Sequence, residues 1–289
     1  MATSTAWTRL DGGIHVRQSA AYQMNSVALL DAEQIVLVDP GILASEIDDM
    51  ARVVEEAGRG ALTLVFTHAH WDHVLGKPWW PNAQTLAHDR FATEVKRDSA
   101  RIIEEIRKLA AQHGESRERG FTPFRPDHAV SGLRFLKLGP WRLVIRDAPG
   151  HSLSQITIHL PDHGVLIAAD MLSDIEPPML DGPCRPYLET LRILLPLFEG
   201  GAVTTLIPGH GSITRGRDAV LARLRGDLDY LEKLEAGVTK AIGEGLDLAA
   251  TRERLSGLGY PSRGANDAGL QDHLENVDLT YRGLARATA

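Results

Sequence analysis

Cysteine occurs once in the 289 residues, at Cys184. A single thiol cannot close an internal disulfide, which agrees with a reducing compartment, and it leaves any zinc site to nitrogen and oxygen donors. No apolar run approaches the roughly 20 residues that a bilayer helix needs. The start, Met1 to Arg9, lacks the basic stretch and following apolar run of a secretory signal, so a cytoplasmic location is the expectation. Positive charge is not in excess either, the formal net charge being -7. That balance argues against a broad grip on nucleic acid, which rests mainly on Lys and Arg. Arg142, Arg146, Arg185 and Arg192 are scattered and read as solvated charge.

What is present is an ordinary globular composition, 43% hydrophobic and 24% charged, which excludes wholesale disorder. The length suits one large domain with a helical tail. Ala28–Leu30 and Ile35–Val38 read as strands of a short hairpin, broken by Asp39-Pro40-Gly41. Glu46 to Ala57 carries apolar residues at helical spacing and stops at Gly58. Leu62 to Phe66 is the next strand, apolar enough to be buried on both faces.

From Asp89 to His113 the chain is charged and helical, with Phe91, Val95, Ile102, Ile103, Ile106 and Leu109 on one stripe. This is read first as a helix or helix pair packed on a sheet, and second as a lid whose mobile loop is Gly114 to Pro126. Short strands follow at 133–136, 141–145, 156–160 and 165–168, with helices at Tyr187–Phe198 and Arg217–Ile242. The expected division is a catalytic domain over 1–215, with a helical insertion at 89–126, and a helical extension over 216–289 packed on it.

The segment that carries chemistry is Thr67-His68-Ala69-His70-Trp71-Asp72-His73, at the exit of the 62–66 strand. On a strand side chains alternate faces, so His68 and His70 point the same way and can share one ion. Asp72 and His73 come where the chain should turn into a helix, and so they point elsewhere. Two such pairs suggest two metals. Three further candidates sit at strand exits: Pro149-Gly150-His151, Ala168-Ala169-Asp170 and Pro208-Gly209-His210. Each alone is turn chemistry first. Together they supply five histidines and two aspartates, a donor set for a dinuclear centre that leaves room for water. His15, His88, His113, His128, His159, His163 and His273 have no partner at such spacing and read as ordinary.

These motifs, with Val38-Asp39-Pro40-Gly41, resemble the metallo-β-lactamase superfamily, the hydrolase fold of glyoxalase II, lactonases and related enzymes, over roughly residues 12 to 215. The resemblance implies a four-layer αββα sandwich of α/β (α+β) class. It implies that His68, His70 and His151 hold one metal, that Asp72, His73 and His210 hold the other, and that Asp170 bridges them. The ions implied are divalent, zinc first, with iron or manganese also served by such ligands. A metal-bridging hydroxide would attack an acyl carbon while a metal ion stabilises the oxyanion. Asp72 would also orient the attacking group or pass a proton, and Asp39 would orient a ligand histidine from behind.

Departures from individual branches narrow the substrate. The bridging Asp170 is unlike true zinc β-lactamases, and His70 stands where flavodiiron proteins have glutamate. Ser173 occupies the position of the tyrosine of acyl-homoserine lactonases. Cys184-Arg185-Pro186-Tyr187 and Ser152-Leu153-Ser154-Gln155 depart from the glyoxalase II signatures. The resulting expectation is a dinuclear hydrolase of a small ester, thioester or lactone. The rival readings are a mononuclear iron sulfur dioxygenase and a phosphodiesterase or nuclease. The expected partner is a small acyl substrate, without membrane; a homodimer and a monomer are both open. Trp71, Trp79 and Trp80 read as packed aromatics or as a pocket wall. Lys233, Lys240, Arg252 and Arg254 read as a solvated helix face.

Overall fold

A computed structural model describes residues 7–58, 60–258 and 267–288 of the chain. Most of the N-terminal stretch read for a signal, and part of the expected C-terminal extension, lie outside the described residues. The chain clusters into two compact units, Met1–Asp147 with Ser154–His163, and Ala148–Leu153 with Gly164–Ala289.

The first unit is built on a seven-stranded sheet in sequence order. Its strands are β1 (Thr8–Arg9), β2 (Ile14–Gln18), β3 (Asn25–Leu29), β4 (Gln34–Val38), β5 (Ala61–Val65), β6 (Gln84–His88) and β7 (His128–Val130). Neighbours β1 to β4 are antiparallel, and β4 to β7 are parallel. Parallel neighbours need crossovers, supplied by α1 (Ala44–Ala57) before β5 and by α2 (Phe91–Arg97) and α3 (Ser99–His113) before β7. Three more strands, β8 (Leu133–Leu138), β9 (Trp141–Asp147) and β10 (Ile156–Leu160), form an antiparallel meander.

The core of this unit gathers Ile35, Leu37 and Leu64 from the sheet and Phe66 just beyond β5 with Ile47 of α1 and Phe91, Val95, Ile102 and Leu109 of α2 and α3. The stripe read from 89–113 therefore packs inward, apart from Ile103, which is exposed. The 114–126 segment has no regular structure, but it is tied down. Arg117 donates to the carbonyls of Leu75 (2.9 Å) and Ile42 (2.7 Å), and Phe121 and Phe124 pack on the core. The guanidiniums of Arg117 and Arg119 stand 4.9 and 5.3 Å from the Trp79 ring centre, so this tryptophan is a packed and stacked aromatic.

In the second unit β11 (Val165–Ile167) runs parallel to β12 (Thr205–Ile207), which pairs antiparallel with β13 (Thr214–Arg215). Helix α4 (Arg185–Glu199) forms the crossover, followed by α5 (Arg217–Gly243), α6 (Leu248–Leu255) and α7 (Asp267–Thr288). Along α5 the buried Val220, Leu224, Leu228, Leu231, Leu234 and Val238 recur every three or four residues, one apolar face turned to α4 and β12. The Asp247 carboxylate accepts from the Ala250 amide at 2.8 Å and caps α6. Among the described residues no helix is long and apolar enough to cross a membrane.

Candidate metal centre

In the first unit the donors hang from the ends of parallel strands. Val38 of β4 is paired with Val65 of β5, so the residues after them leave the sheet side by side. Ligand sites favour such carboxyl ends of parallel strands. Asp39 accepts from the Thr67 amide at 2.7 Å and from the Thr67 hydroxyl at 2.5 Å. Its Oδ2 also lies 2.9 Å from His73 Nδ1, and Thr67 Oγ1 lies 3.1 Å from His68 Nδ1. Because the only Thr67 hydroxyl proton goes to Asp39, His68 Nδ1–H must be the donor to Thr67. One carboxylate thereby sets the tautomer of two imidazoles and leaves each Nε2 as the unprotonated nitrogen that could hold a metal ion.

The strand expected to carry His68 and His70 ends earlier, at Val65. His68 to His70 are loop residues, and 71–73 form a turn rather than a helix, closed by the His73 amide donating to the His70 carbonyl at 3.2 Å. Strand alternation is thus not what brings the rings together. The turn does so, and it also returns His73: ring centres are 4.6 Å apart for His68 and His70 and 4.1 Å for His68 and His73. The loop is tied to β10 by the Ile156 amide, which donates to the Thr67 carbonyl at 2.9 Å. Asp72 Oδ2 lies 3.7 Å from His73 Nε2.

The second unit repeats the arrangement. Ile167 of β11 is paired with Ile207 of β12, and Asp170 and His210 each follow three residues later. Asp170 Oδ2 stands 3.2 Å from His151 Nε2 and 3.5 Å from His210 Nε2, a carboxylate between two imidazoles. His151 Nδ1 faces the Met179 carbonyl at 3.0 Å. Burial pushes the His151 pKa down, but Asp170, the Met179 carbonyl and Glu176 outweigh it and the net direction is up. Ala169 has φ +50°, a strained turn that presents Asp170.

Both Pro-Gly-His motifs owe their glycine to packing. A Cβ on Gly209 would overlap the Asp170 carboxylate, and one on Gly150 would overlap Tyr187. Turn preference alone does not explain Gly209, whose φ is not positive.

The donor atoms of His68 and His70, of Asp72 and His73, and of His151 and Asp170 each lie within 4.8 Å of one another. These are imidazoles and carboxylates at metal-holding spacing, a set that suits zinc, iron or manganese. All are buried except His70, which is partly exposed. Cys184 is buried in the second core, that burial pushes its thiol up to about 11, and it belongs to neither donor group.

Other residues weighed from the sequence lie elsewhere. Arg142 pairs with Asp162, Arg185 with Glu235, Arg192 with Glu232, Lys233 with Asp229 and Arg252 with Asp278. His273, read as ordinary, is buried in a polar network with Tyr230 and Asn276. Nothing in local sequence marks that network, since its members are 43 and 46 residues apart.

Residues 21–231 match the family described as the metallo-beta-lactamase superfamily. Acyl-coenzyme A thioesterase MBLAC2 of Gallus gallus is 24% identical over 221 residues, 70% of this chain and 78% of that protein. Among solved structures, the stereoselective inverting sec-alkylsulfatase Pisa1 from Pseudomonas sp. superposes with TM-score 0.74 at 16% identity, covering 96% of this chain and 50% of that one. The chain therefore spans half the length of that enzyme. A metallo-beta-lactamase family protein from Thermus thermophilus gives TM-score 0.65 at 19% identity, over 96% of this chain and 94% of that one. The chain belongs to the metallo-β-lactamase superfamily and has its mixed α/β fold; it is a hydrolase of that superfamily.

Proposed function

We propose that this hydrolase is a dinuclear metal enzyme that cleaves a small acyl ester, thioester or lactone, with thioesters foremost. His68, His70 and His151 would hold one ion and Asp72, His73 and His210 the other, with Asp170 as the ligand they would share. The observation that carries the reading is the Asp170 carboxylate, with one oxygen within 3.5 Å of two separate imidazoles. A carboxylate so placed suits a bridge between two cations. Residues 1–215 then carry the chemistry, and helices α5 to α7 form an extension to them.

When bound, divalent ions lower the pKa of water towards neutrality and polarise an acyl carbonyl. The chain's own residues do the rest. Asp39, directly and through Thr67, keeps Nε2 of His73 and His68 available as donors. The Met179 carbonyl does the same for His151. Asp72 would orient the attacking group or pass a proton. Thioesters lead because the relative named above is an acyl-coenzyme A thioesterase.

Metal quantification joined to a substrate panel tests this. Purified protein should carry close to two ions per chain and turn over an acyl thioester faster than a phosphodiester. One ion per chain, or full activity without metal, would overturn the dinuclear reading.

A further inference from the structure

Asn276 lies on α7, far in sequence from every candidate ligand, yet it holds the segment that aims one of them. Residues 178–181 alternate as a strand does. On one side the Asn276 amide donates from Nδ2 to the Pro178 carbonyl at 2.7 Å, and its Oδ1 accepts from the Leu180 amide at 3.2 Å. On the other side the Met179 carbonyl faces His151 Nδ1 at 3.0 Å, and the Asp181 amide donates to the Gly150 carbonyl at 3.1 Å. A single side-chain amide thus occupies the place of a neighbouring strand.

The amide is itself fixed. Its second hydrogen goes to the Tyr230 oxygen at 3.0 Å. His273 Nε2–H donates to the Leu255 carbonyl at 2.8 Å, so His273 Nδ1 accepts from the Tyr230 hydroxyl at 2.9 Å. Asn276 and Tyr230 are each 1% exposed. A buried amide with both hydrogens and its oxygen satisfied is bound to one geometry, because any slip leaves a polar group unpaired in an apolar core.

We propose that Asn276 is a positioning residue for metal binding. Through Pro178 and Leu180 it fixes the Met179 carbonyl, which in turn sets the tautomer and ring orientation of His151. This rests on the reading of His151 as a ligand. Outer partners of this kind typically change metal affinity 10–100-fold when removed, about the size expected here.

The test uses the full chain, with zinc alone as probe. Zinc affinity is measured by competition with a chromophoric chelator, and the His151 Nδ1–H resonance is followed by NMR on ¹⁵N-histidine protein. Asn276→Leu removes all three hydrogen bonds, and Asn276→Asp removes both donors while keeping the acceptor. Both should bind one zinc about 10–100-fold more weakly and lose the protected Nδ1–H signal. Should Asn276→Leu not fold, Asn276→Asp decides. Folded variants with wild-type zinc affinity, beside a His151→Ala control that loses it, would overturn the inference and leave His151 as a ligand. Wild-type affinity in His151→Ala would remove the ligand reading itself.

Discussion

Asp39 Oδ2 lies 2.9 Å from His73 Nδ1, with the imidazole fully buried and the carboxylate nearly so. Asp39 is also reached by two donors of Thr67, and it adopts φ +46°, a left-handed conformation that aspartate and asparagine tolerate better than most residues. Replacement by alanine leaves the Thr67 amide and the His73 ring without their acceptor. Asp39→Ala is expected to cost about 1–3 kcal/mol of stability and 10–100-fold in metal affinity. Asp39→Asn should be milder in stability. Chemical denaturation and metal titration of the two variants check both statements.

Gly209→Ala puts a methyl group into the space of the Asp170 carboxylate and against the Ala169 backbone. The carboxylate must turn away from His151 and His210, or β12 must shift. Metal content should fall, and stability should drop by about 1–3 kcal/mol, as for an overpacked core. Gly182→Ala, whose Cβ meets nothing, is the matched control and should change neither.

Burial lowers the His273 pKa from its ordinary 6.5, against the opposing pull of the Leu255 carbonyl. Below 6.5 the unfolded chain then binds more protons than the folded one. The contribution of neutral His273 is in place above 6.5 and is lost as pH falls through the lower folded value. The thermal midpoint of wild type should decline on acidification through this range, and His273→Gln should flatten the decline. Melting curves at pH values on both sides of 6.5 read this out.

The Cys184 thiol is pushed up to about 11 by burial. At neutral pH it holds almost no thiolate, the reactive form. The native protein should resist a disulfide-exchange reagent and take up one equivalent when unfolded. Rapid labelling of the native state would show that the second core opens near α4.

Strands with sustained apolar pattern were legible in the sequence. β10 matches its expected bounds of 156–160, and α5 differs from Arg217–Ile242 by a single residue. β2, β6 and β7 were not foreseen, because Ile14–Gln18, Gln84–His88 and His128–Val130 interleave polar and histidine residues and carry no sustained apolar run. Sheet pairing, invisible to a local pattern, decides them. Of the candidate site, the histidine and aspartate groups that the structure gathers were legible in the motifs, and the place of Asp39 behind a histidine came with the family resemblance. The link from Asp39 through Thr67 to His68, the steric need for Gly209 and the Asn276 clamp were not legible. Each depends on a contact between distant segments whose residues have no unusual character alone.

The pairing of Ile167 with Ile207 fixes the level at which Asp170 and His210 emerge, and the pairing of Val38 with Val65 does so for Asp39 and Thr67. Backbone register, rather than the length of any connection, is the ruler for these side chains. The opposite ends of the same strands are therefore the places to change chain length. A tag, a grafted loop or a new pair of termini belongs at the exposed Ala32-Glu33 turn before β4 or near Gly201 before β12. There the chain can be cut or extended while the donor geometry at the far end stays in register.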